Sequence, residues 1–303
     1  MHKILVTGAS GFIGRYLVRR LISEGYEVIG FDKRGLKNIE VKVIQGDIVN
    51  FDFDRILKDV DVVFHLAGLL GTVELFHRII EAERVNVLGT LNLLESIRRM
   101  DVKKIIFTSK PVVWKYNVYT ITKENCERYL RMYQKIYGFK VVITRPFNVY
   151  GPGEYLYEYR KAIPYFIVAS LKNELIEIFG SGEQTLDPIY ISDVVEALVR
   201  CMKKMPEEVV EIGSGKPVKV IDIARKIIEM TKSRSRIIHL SIRKGEIGPS
   251  IIYANGSMER LLGFKPMINL KEGLEKTIKW YRDHLSEFKQ IYRYRKEDFI
   301  DSY

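Results

Sequence analysis

The stretch Thr7-Gly8-Ala9-Ser10-Gly11-Phe12-Ile13-Gly14 constrains this chain more than any other, because it joins two different periodicities. Ahead of it, Lys3 to Val6 is an apolar run of strand length. Behind it, Ile13, Leu17 and Leu21 recur every fourth residue, and Gly25 closes the helix they imply. A glycine turn between strand and helix can take positive φ and approach a pyrophosphate closely, while the free N–H groups and dipole at the helix start attract negative charge. The spacing Gly8-x-x-Gly11-x-x-Gly14 departs from the commonest dinucleotide fingerprint, but its strand-to-helix context makes it a cofactor loop.

Asp32 ends the next strand, where a carboxylate accepts hydrogen bonds from the adenosine ribose hydroxyls and repels a 2′-phosphate. This favours NAD. Lys33 and Arg34 beside it keep NADP open, since basic side chains there suit an extra phosphate.

The remaining chain alternates in the same way. Strands are expected at Glu27 to Phe31, Val41 to Ile44, Val62 to Leu66, Ile105 to Thr108 and Val141 to Thr144; helices are expected at Phe12 to Glu24, Arg84 to Met100 and Tyr119 to Tyr137. The pattern predicts an α/β fold with a doubly wound, parallel Rossmann-type sheet. After Thr144 the turn chemistry of Asn148 to Gly153 and the tyrosines at 155, 157 and 159 open a smaller lobe. That lobe is interleaved with a late sheet-domain helix, Ser192 to Lys204, and strand, Val209 to Ile212. The expected division is 1–150 plus about 188–212 for the NAD-binding domain, and 151–187 plus about 213–303 for the substrate-binding lobe. Ligands should sit in the cleft at the carboxyl ends of the strands.

Composition narrows the partners. No stretch reaches the roughly 18 apolar residues of a membrane span, and the start enters a strand at once, so no membrane association and a cytoplasmic location are expected. Cys126 and Cys201 read as small buried hydrophobes, and no ligand set at metal spacing stands around His65 or His77; no metal is expected. The formal charge of +11 raises nucleic acid as a partner, yet from Lys271 to Tyr303 basic and acidic residues alternate, as on a solvated helix. No nucleic acid is therefore expected. The surplus at Lys232, Arg234, Arg236, Arg243 and Lys244 against Glu246 is either surface charge or an anionic small-molecule site. The charged, glutamine-poor composition points toward a thermophilic source.

Ordered motifs run almost end to end. Besides the glycine loop they are Gly46-Asp47-Ile48, His65-Leu66-Ala67-Gly68, Asn86-Val87-Leu88-Gly89-Thr90, Tyr119-x-x-x-Lys123, Arg145 to Gly153, Gly182-x-Gln184-Thr185-x-Asp187, and Arg260-Leu261-Leu262-Gly263-Phe264-x-Pro266. With these the chain resembles the extended short-chain dehydrogenase/reductases, the NAD-dependent epimerase/dehydratase group typified by nucleotide-sugar epimerases. The resemblance implies that Gly8, Gly11, Phe12, Ile13, Gly14, Asp32 and Lys33 meet the cofactor. It implies adenine contacts from Asp47 and Ile48, further cofactor contacts from Leu66, Ala67, Gly68, Thr108 and Pro146, and a contact from Asn148 to the nucleotide part of the substrate. It also implies a homodimer through Arg84 to Met100 and Tyr119 to Tyr137.

Tyr119 and Lys123 make chemical sense on their own terms. Four residues apart, they share one helix face. An ammonium beside a phenol, with the positive nicotinamide ring, is expected to lower a phenolic pKa normally near 10, leaving a tyrosinate to act as general base and Lys123 to hold the nicotinamide ribose.

Three positions depart from the family pattern. Where relatives place a catalytic Ser or Thr after the fifth strand, this chain reads Thr108-Ser109-Lys110-Pro111, and only eight residues separate Lys110 from Tyr119. Ser109 or Thr108 takes the role, or Lys110 donates to the substrate oxygen with a lowered pKa, or the family reaction is lost. The diphosphate arginines are also absent, with Leu186 at one position and Gly248 near the other; Arg236, Arg243, Arg160 and Lys161 are the candidates to replace them. The expected function is an NAD-dependent nucleotide-sugar epimerase. The alternatives are a sugar dehydrogenase or reductase, or an NAD-binding protein without the chemistry.

Overall fold

Alternate residues of the first strand leave it in opposite directions, and that determines the architecture. The computed structural model describes residues 2–35, 43–111, 116–154, 156, 159–246 and 250–288. In β1 (Lys3–Thr7), Ile4 and Val6 enter one apolar cluster while Leu5 enters another. A strand covered on both faces is what a parallel sheet requires. The chain runs on through α1 (Phe12–Ser23), β2 (Glu27–Asp32), β3 (Val43–Gln45), α2 (Asp54–Leu57) and β4 (Val62–His65). Then come α3 (Ile79–Ala82), α4 (Gly89–Arg99), β5 (Lys104–Thr108), α5 (Val118–Tyr137), β6 (Lys140–Pro146) and β7 (Asn148–Tyr150). The later part supplies α6 (Ala162–Leu171), β8 (Ile176–Phe179), β9 (Thr185–Leu186), β10 (Pro188–Tyr190), α7 (Ile191–Lys204) and β11 (Val210–Ile212). It ends with β12 (Val218–Lys219), α8 (Val220–Thr231), β13 (Ile237–Leu240), α9 (Ser257–Leu262) and α10 (Leu270–Asp283).

Seven strands form one parallel sheet in the order β11-β6-β5-β4-β1-β2-β3. Strands β4, β5 and β6 repeat the alternation of β1: Phe64, Ile106 and Val142 pack on the side of Leu17 and Leu198, while Val63, Phe107 and Ile143 pack on the side of Leu94 and Leu130. The sheet is therefore doubly wound, as the strand and helix alternation predicts. Its strand order reverses at β1, where the ends of β1 and β4 leave a crevice.

Most expected elements appear within a residue or two of their anticipated ends. The third strand covers Val43–Gln45, with residues 41 and 42 outside the described part. The helix expected over 84–100 is interrupted: Glu83–Leu88 is a π-helical turn before α4. This turn carries Asn86, whose amide donates to the Leu69 carbonyl and Thr122 Oγ1 at 3.1 and 3.0 Å. The tyrosines at 155 and 157, Gly248, and the end of the alternating C-terminal stretch lie outside the described residues.

Cys126 and Cys201 are buried and free. Lys232, Arg234 and Arg236 are exposed surface charges. Among the described residues no helix is long and apolar enough to cross a membrane, and no group of three or more His, Cys, Asp or Glu is placed to hold a metal.

Candidate active site

The glycine loop is held by contacts that only glycine permits. Gly8 has φ +71°, and a Cβ there would lie 2.8 Å from the Ala67 nitrogen; one on Gly14 would lie 2.1 Å from the Gly8 carbonyl oxygen. Helix α1 consequently begins hard against the end of β1. Its first turn has neither a side-chain cap nor an acidic residue, so its N–H groups fit an anionic pyrophosphate. Gly8, Gly11, Phe12, Ile13 and Gly14 line one end of a cavity of about 450 Å³.

Asp32 stands ready beside this loop. Its carboxylate accepts from the Ser10 and Arg34 N–H groups at 3.0 and 2.9 Å and is 8% exposed. Lys33 Nζ lies 3.5 Å from Asp47 and Arg34 Nε 3.8 Å from Asp32, so both basic side chains already face carboxylates. That arrangement suits a ribose diol better than a phosphate and weighs against NADP. Asp47 accepts from the Val49 N–H, and Ile48 packs against Gly89. The Ala67 N–H donates to Thr7 Oγ1 at 3.2 Å, and Leu66 and Gly68 line the cavity. His65 fills the packing role expected of it: its ring nitrogens lie 2.8 and 2.9 Å from Thr7 Oγ1 and Thr90 Oγ1, and burial lowers its pKa to about 3.

Helix α5 carries the second half of the site. Asn117 caps it, its Oδ1 accepting from the Tyr119 and Thr120 N–H groups at 2.9 and 3.3 Å, and Gly138 ends it in the left-handed region. Tyr119 and Lys123 lie on one face, with Lys123 Nζ 5.9 Å from the Tyr119 ring centroid and 4.4 Å from that of Phe107. Lys123 is buried without a hydrogen-bond acceptor or carboxylate partner among the described residues, and burial holds its pKa down to about 8. Gly68 lies beside it: a Cβ there would meet Asn86 Oδ1 at 3.1 Å and Lys123 Nζ at 3.5 Å.

The expected lowering of the Tyr119 pKa is corrected. Burial pushes this phenol well above its ordinary range, and Tyr159 and Cys126 push in the same direction. Desolvating a phenolate in the cavity wall outweighs an ammonium at this distance.

Lys110 lines the cavity and donates to Thr120 Oγ1 at 2.6 Å; its pKa is lowered to about 8 by burial, with Glu124 opposing the shift and Arg145 adding to it. Ser109 and Thr108 line the same wall. The Ser109 hydroxyl is buried without a hydrogen-bond partner, whereas Thr108 Oγ1 meets Thr144 Oγ1 at 3.5 Å.

At the far end, Pro146, Asn148 and Leu186 line the cavity, with Asn148 Oδ1 accepting from the Asp187 N–H. Arg160, Lys161 and Arg243 also line it, but each meets a carboxylate: Arg160 with Glu177 at 2.8 Å, Lys161 with Glu154, Arg243 with Glu246. Phe179 lies between the two guanidiniums, 5.2 Å from Arg160 and 4.5 Å from Arg243. Arg236, just ahead of β13, is exposed and outside the cavity lining, so it is removed from the candidates for diphosphate binding.

Three contributors go unnoticed in the sequence. Asn117 carries a legible signal, a cap residue ahead of a helical pattern. Thr72 and Phe179 lie in stretches with no motif of their own, and only the fold brings them to the cavity.

The model of the NAD dependent epimerase/dehydratase family matches residues 4–213. A Methanocaldococcus jannaschii protein provisionally named UDP-glucose 4-epimerase is 33% identical over 304 residues, covering 93% of this chain and 99% of its own. The crystal structure of UDP-glucose 4-epimerase with UDP-glucose from Thermotoga maritima superposes with a TM-score of 0.86 at 31% identity, covering 93% of this chain and 99% of that one. UDP-glucuronic acid 4-epimerase from Bacillus cereus, in complex with UDP-glucuronic acid and NAD, gives a TM-score of 0.86 at 28% identity with the same coverage.

Proposed function

The chain belongs to the NAD-dependent epimerase/dehydratase family, and from that premise we propose that it interconverts epimers of a nucleotide-linked sugar. One observation carries the reading: the glycine loop and Tyr119 open onto a single cavity that also reaches Asn148 and Arg243, with Lys123 buried on the Tyr119 face. NAD, when bound, supplies the hydride acceptor and a positive ring charge. Gly8, Gly11, Phe12, Ile13 and Gly14 hold its pyrophosphate, Asp32 its adenosine ribose, Asp47 and Ile48 its adenine. Leu66, Ala67, Gly68, Thr108 and Pro146 line its path, and Lys123 holds the second ribose.

Tyr119 Oη takes the proton of the sugar hydroxyl and returns it once the ring has turned over. Burial raises the Tyr119 pKa, and the ring charge that NAD would supply together with Lys123 would favour the anion as the proton leaves. Ser109 and Lys110 line the wall beside Tyr119 and supply donors toward the bound sugar. Asn148 and Arg243 meet the nucleotide diphosphate, Arg243 by exchanging its pairing with Glu246.

A dehydratase would need a carboxylic acid beside the site to expel water, and Ser109-Lys110-Pro111 carries none. The test is the purified protein with its bound NAD, given UDP-sugars and followed by cofactor reduction and product analysis. Epimerisation is expected, and Tyr119→Phe should reduce it about 10²- to 10⁴-fold while NAD stays bound. A dehydrogenase would instead exchange its cofactor at each turnover.

The protein is further proposed to act as a homodimer, because α3 exposes Ile80 (78%) and α5 exposes Ile136 (64%) and Met132 (42%), apolar surface that a second copy would cover. Residues 1–150 with 188–212 form the proposed cofactor unit, supported by β11 pairing with β6 and α7 packing on α1. Residues 151–187 with 213–303 form the proposed substrate unit. Free, buried Cys126 and Cys201 support work in the reducing cytoplasm.

A further inference from the structure

The cavity wall beside Tyr119 carries buried hydrogen-bonding groups that have no partner among the described residues. Ser109 is 4% exposed and Asn117 2%, and both line the cavity. The Ser109 hydroxyl and the Asn117 Nδ2 are buried without a partner. Asn117 has already used its own acceptor, Oδ1, on the first turn of α5. Lys110 adds an ammonium that spends one donor on Thr120 Oγ1 and pairs with no carboxylate among the described residues. Glu124 acts on it only through space, and Arg145, a like charge, is committed to Glu127 at 2.6 Å.

The contrast with the rest of the cavity is the main point. The other cations that line it among the described residues, Arg160, Lys161 and Arg243, each face a carboxylate. Leaving buried donors unmade is costly, so two of them beside an unpaired ammonium describe a site completed by a ligand. The Asn117 Nδ2 and the Lys110 ammonium can only donate and the Ser109 hydroxyl can turn to donate with them, so the complement that satisfies all three is a group that only accepts and carries negative charge. An ionised carboxylate is acceptor-only, whereas a hydroxymethyl group brings a donor of its own and no charge.

The position of the cluster also fits. Lys110 and Asn117 both bond to Thr120, the residue after Tyr119. A group held there lies next to the hydroxyl whose proton Tyr119 takes. In a uronic acid the carboxylate is borne by the ring carbon adjacent to C4. We propose that Ser109, Lys110 and Asn117 bind the carboxylate of a nucleotide-linked uronic acid, making it the preferred substrate over the neutral hexose. This inference rests on the epimerase reading above.

Calorimetric titration of NAD-loaded protein carrying Tyr119→Phe, which prevents turnover, compares UDP-glucuronate with UDP-glucose directly. Binding of the uronate should be tighter by about tenfold or more, the effect of one charge-assisted contact. Adding Lys110→Gln should bring the ratio close to one, and Lys110→Arg should keep most of it. In the parent protein the ratio of kcat/KM for the two sugars should follow the same order. Equal affinity for the two sugars overturns the proposal, as does a preference that survives Lys110→Gln. If neither sugar is epimerised by the parent protein, the epimerase reading fails instead, and the binding preference still decides the carboxylate site.

Discussion

On the cofactor side of the cleft the ligand-facing groups are main-chain atoms and a carboxylate fixed by main-chain N–H groups; on the sugar side they are long side chains that bond to one another. Gly8 and Gly14 are pinned by contacts too close for any Cβ, and Asp32 is fixed by Ser10 and Arg34. Arg160, Lys161 and Arg243 instead meet Glu177, Glu154 and Glu246, partners that a substrate must displace or bridge. The first side recognises one ligand by shape and cannot adjust. The second recognises by which ion pairs exchange, so a few substitutions retune it without disturbing the sheet.

The largest effect should come from breaking the rigid side. Gly14→Val places atoms onto the Gly8 carbonyl, and the expected result is protein purified without NAD and destabilised by more than ~3 kcal/mol. NAD retained at normal stability would remove the distinction between the two sides.

A milder cut is Asp32→Ala. Removing hydrogen bonds to a charged acceptor should weaken NAD by about ten- to a hundredfold and narrow the gap to NADP, measured by cofactor titration. Unchanged NAD affinity would show that Asp32 only organises Ser10 and Arg34.

The smallest effect concerns the sugar side. Lys110 has a folded pKa of about 8, below the ordinary 10.5, so between these values the unfolded chain holds more protons than the folded one. Its burial cost is fully present below about pH 8 and disappears as pH rises toward 10.5. Lys110→Met should therefore stabilise the protein at pH 7 by ~1 kcal/mol, after the loss of the Thr120 bond, and the gain should vanish by about pH 10.5. Denaturant midpoints at the two pH values check this. A variant less stable at both would mean that the ammonium already has its partner.

The rigid side was legible in the sequence because its determinants are local. Three glycines between a strand and a helix, with a carboxylate at the next strand end, define themselves within some 25 residues. The catalytic pair was legible for the same reason, being one helical turn apart. The direction of the Tyr119 shift was not, because it depends on how deeply tertiary packing buries the ring and on Tyr159, far along the chain. Nor was the pairing of Arg160 with Glu177, which β8 brings together. The cap at Asn117 could be read from its place before α5, but the fate of its amide nitrogen is decided by the surrounding walls.

That residue has a consequence in time as well as in space. Its Oδ1 secures the amide hydrogens of Tyr119 and Thr120, so the start of α5 frays only when Asn117 lets go. Any ligand group that engages its Nδ2 restrains the same side chain. Hydrogen exchange at these two amides is then a clock for occupancy: it slows when the cavity wall is engaged and runs faster when the wall is empty.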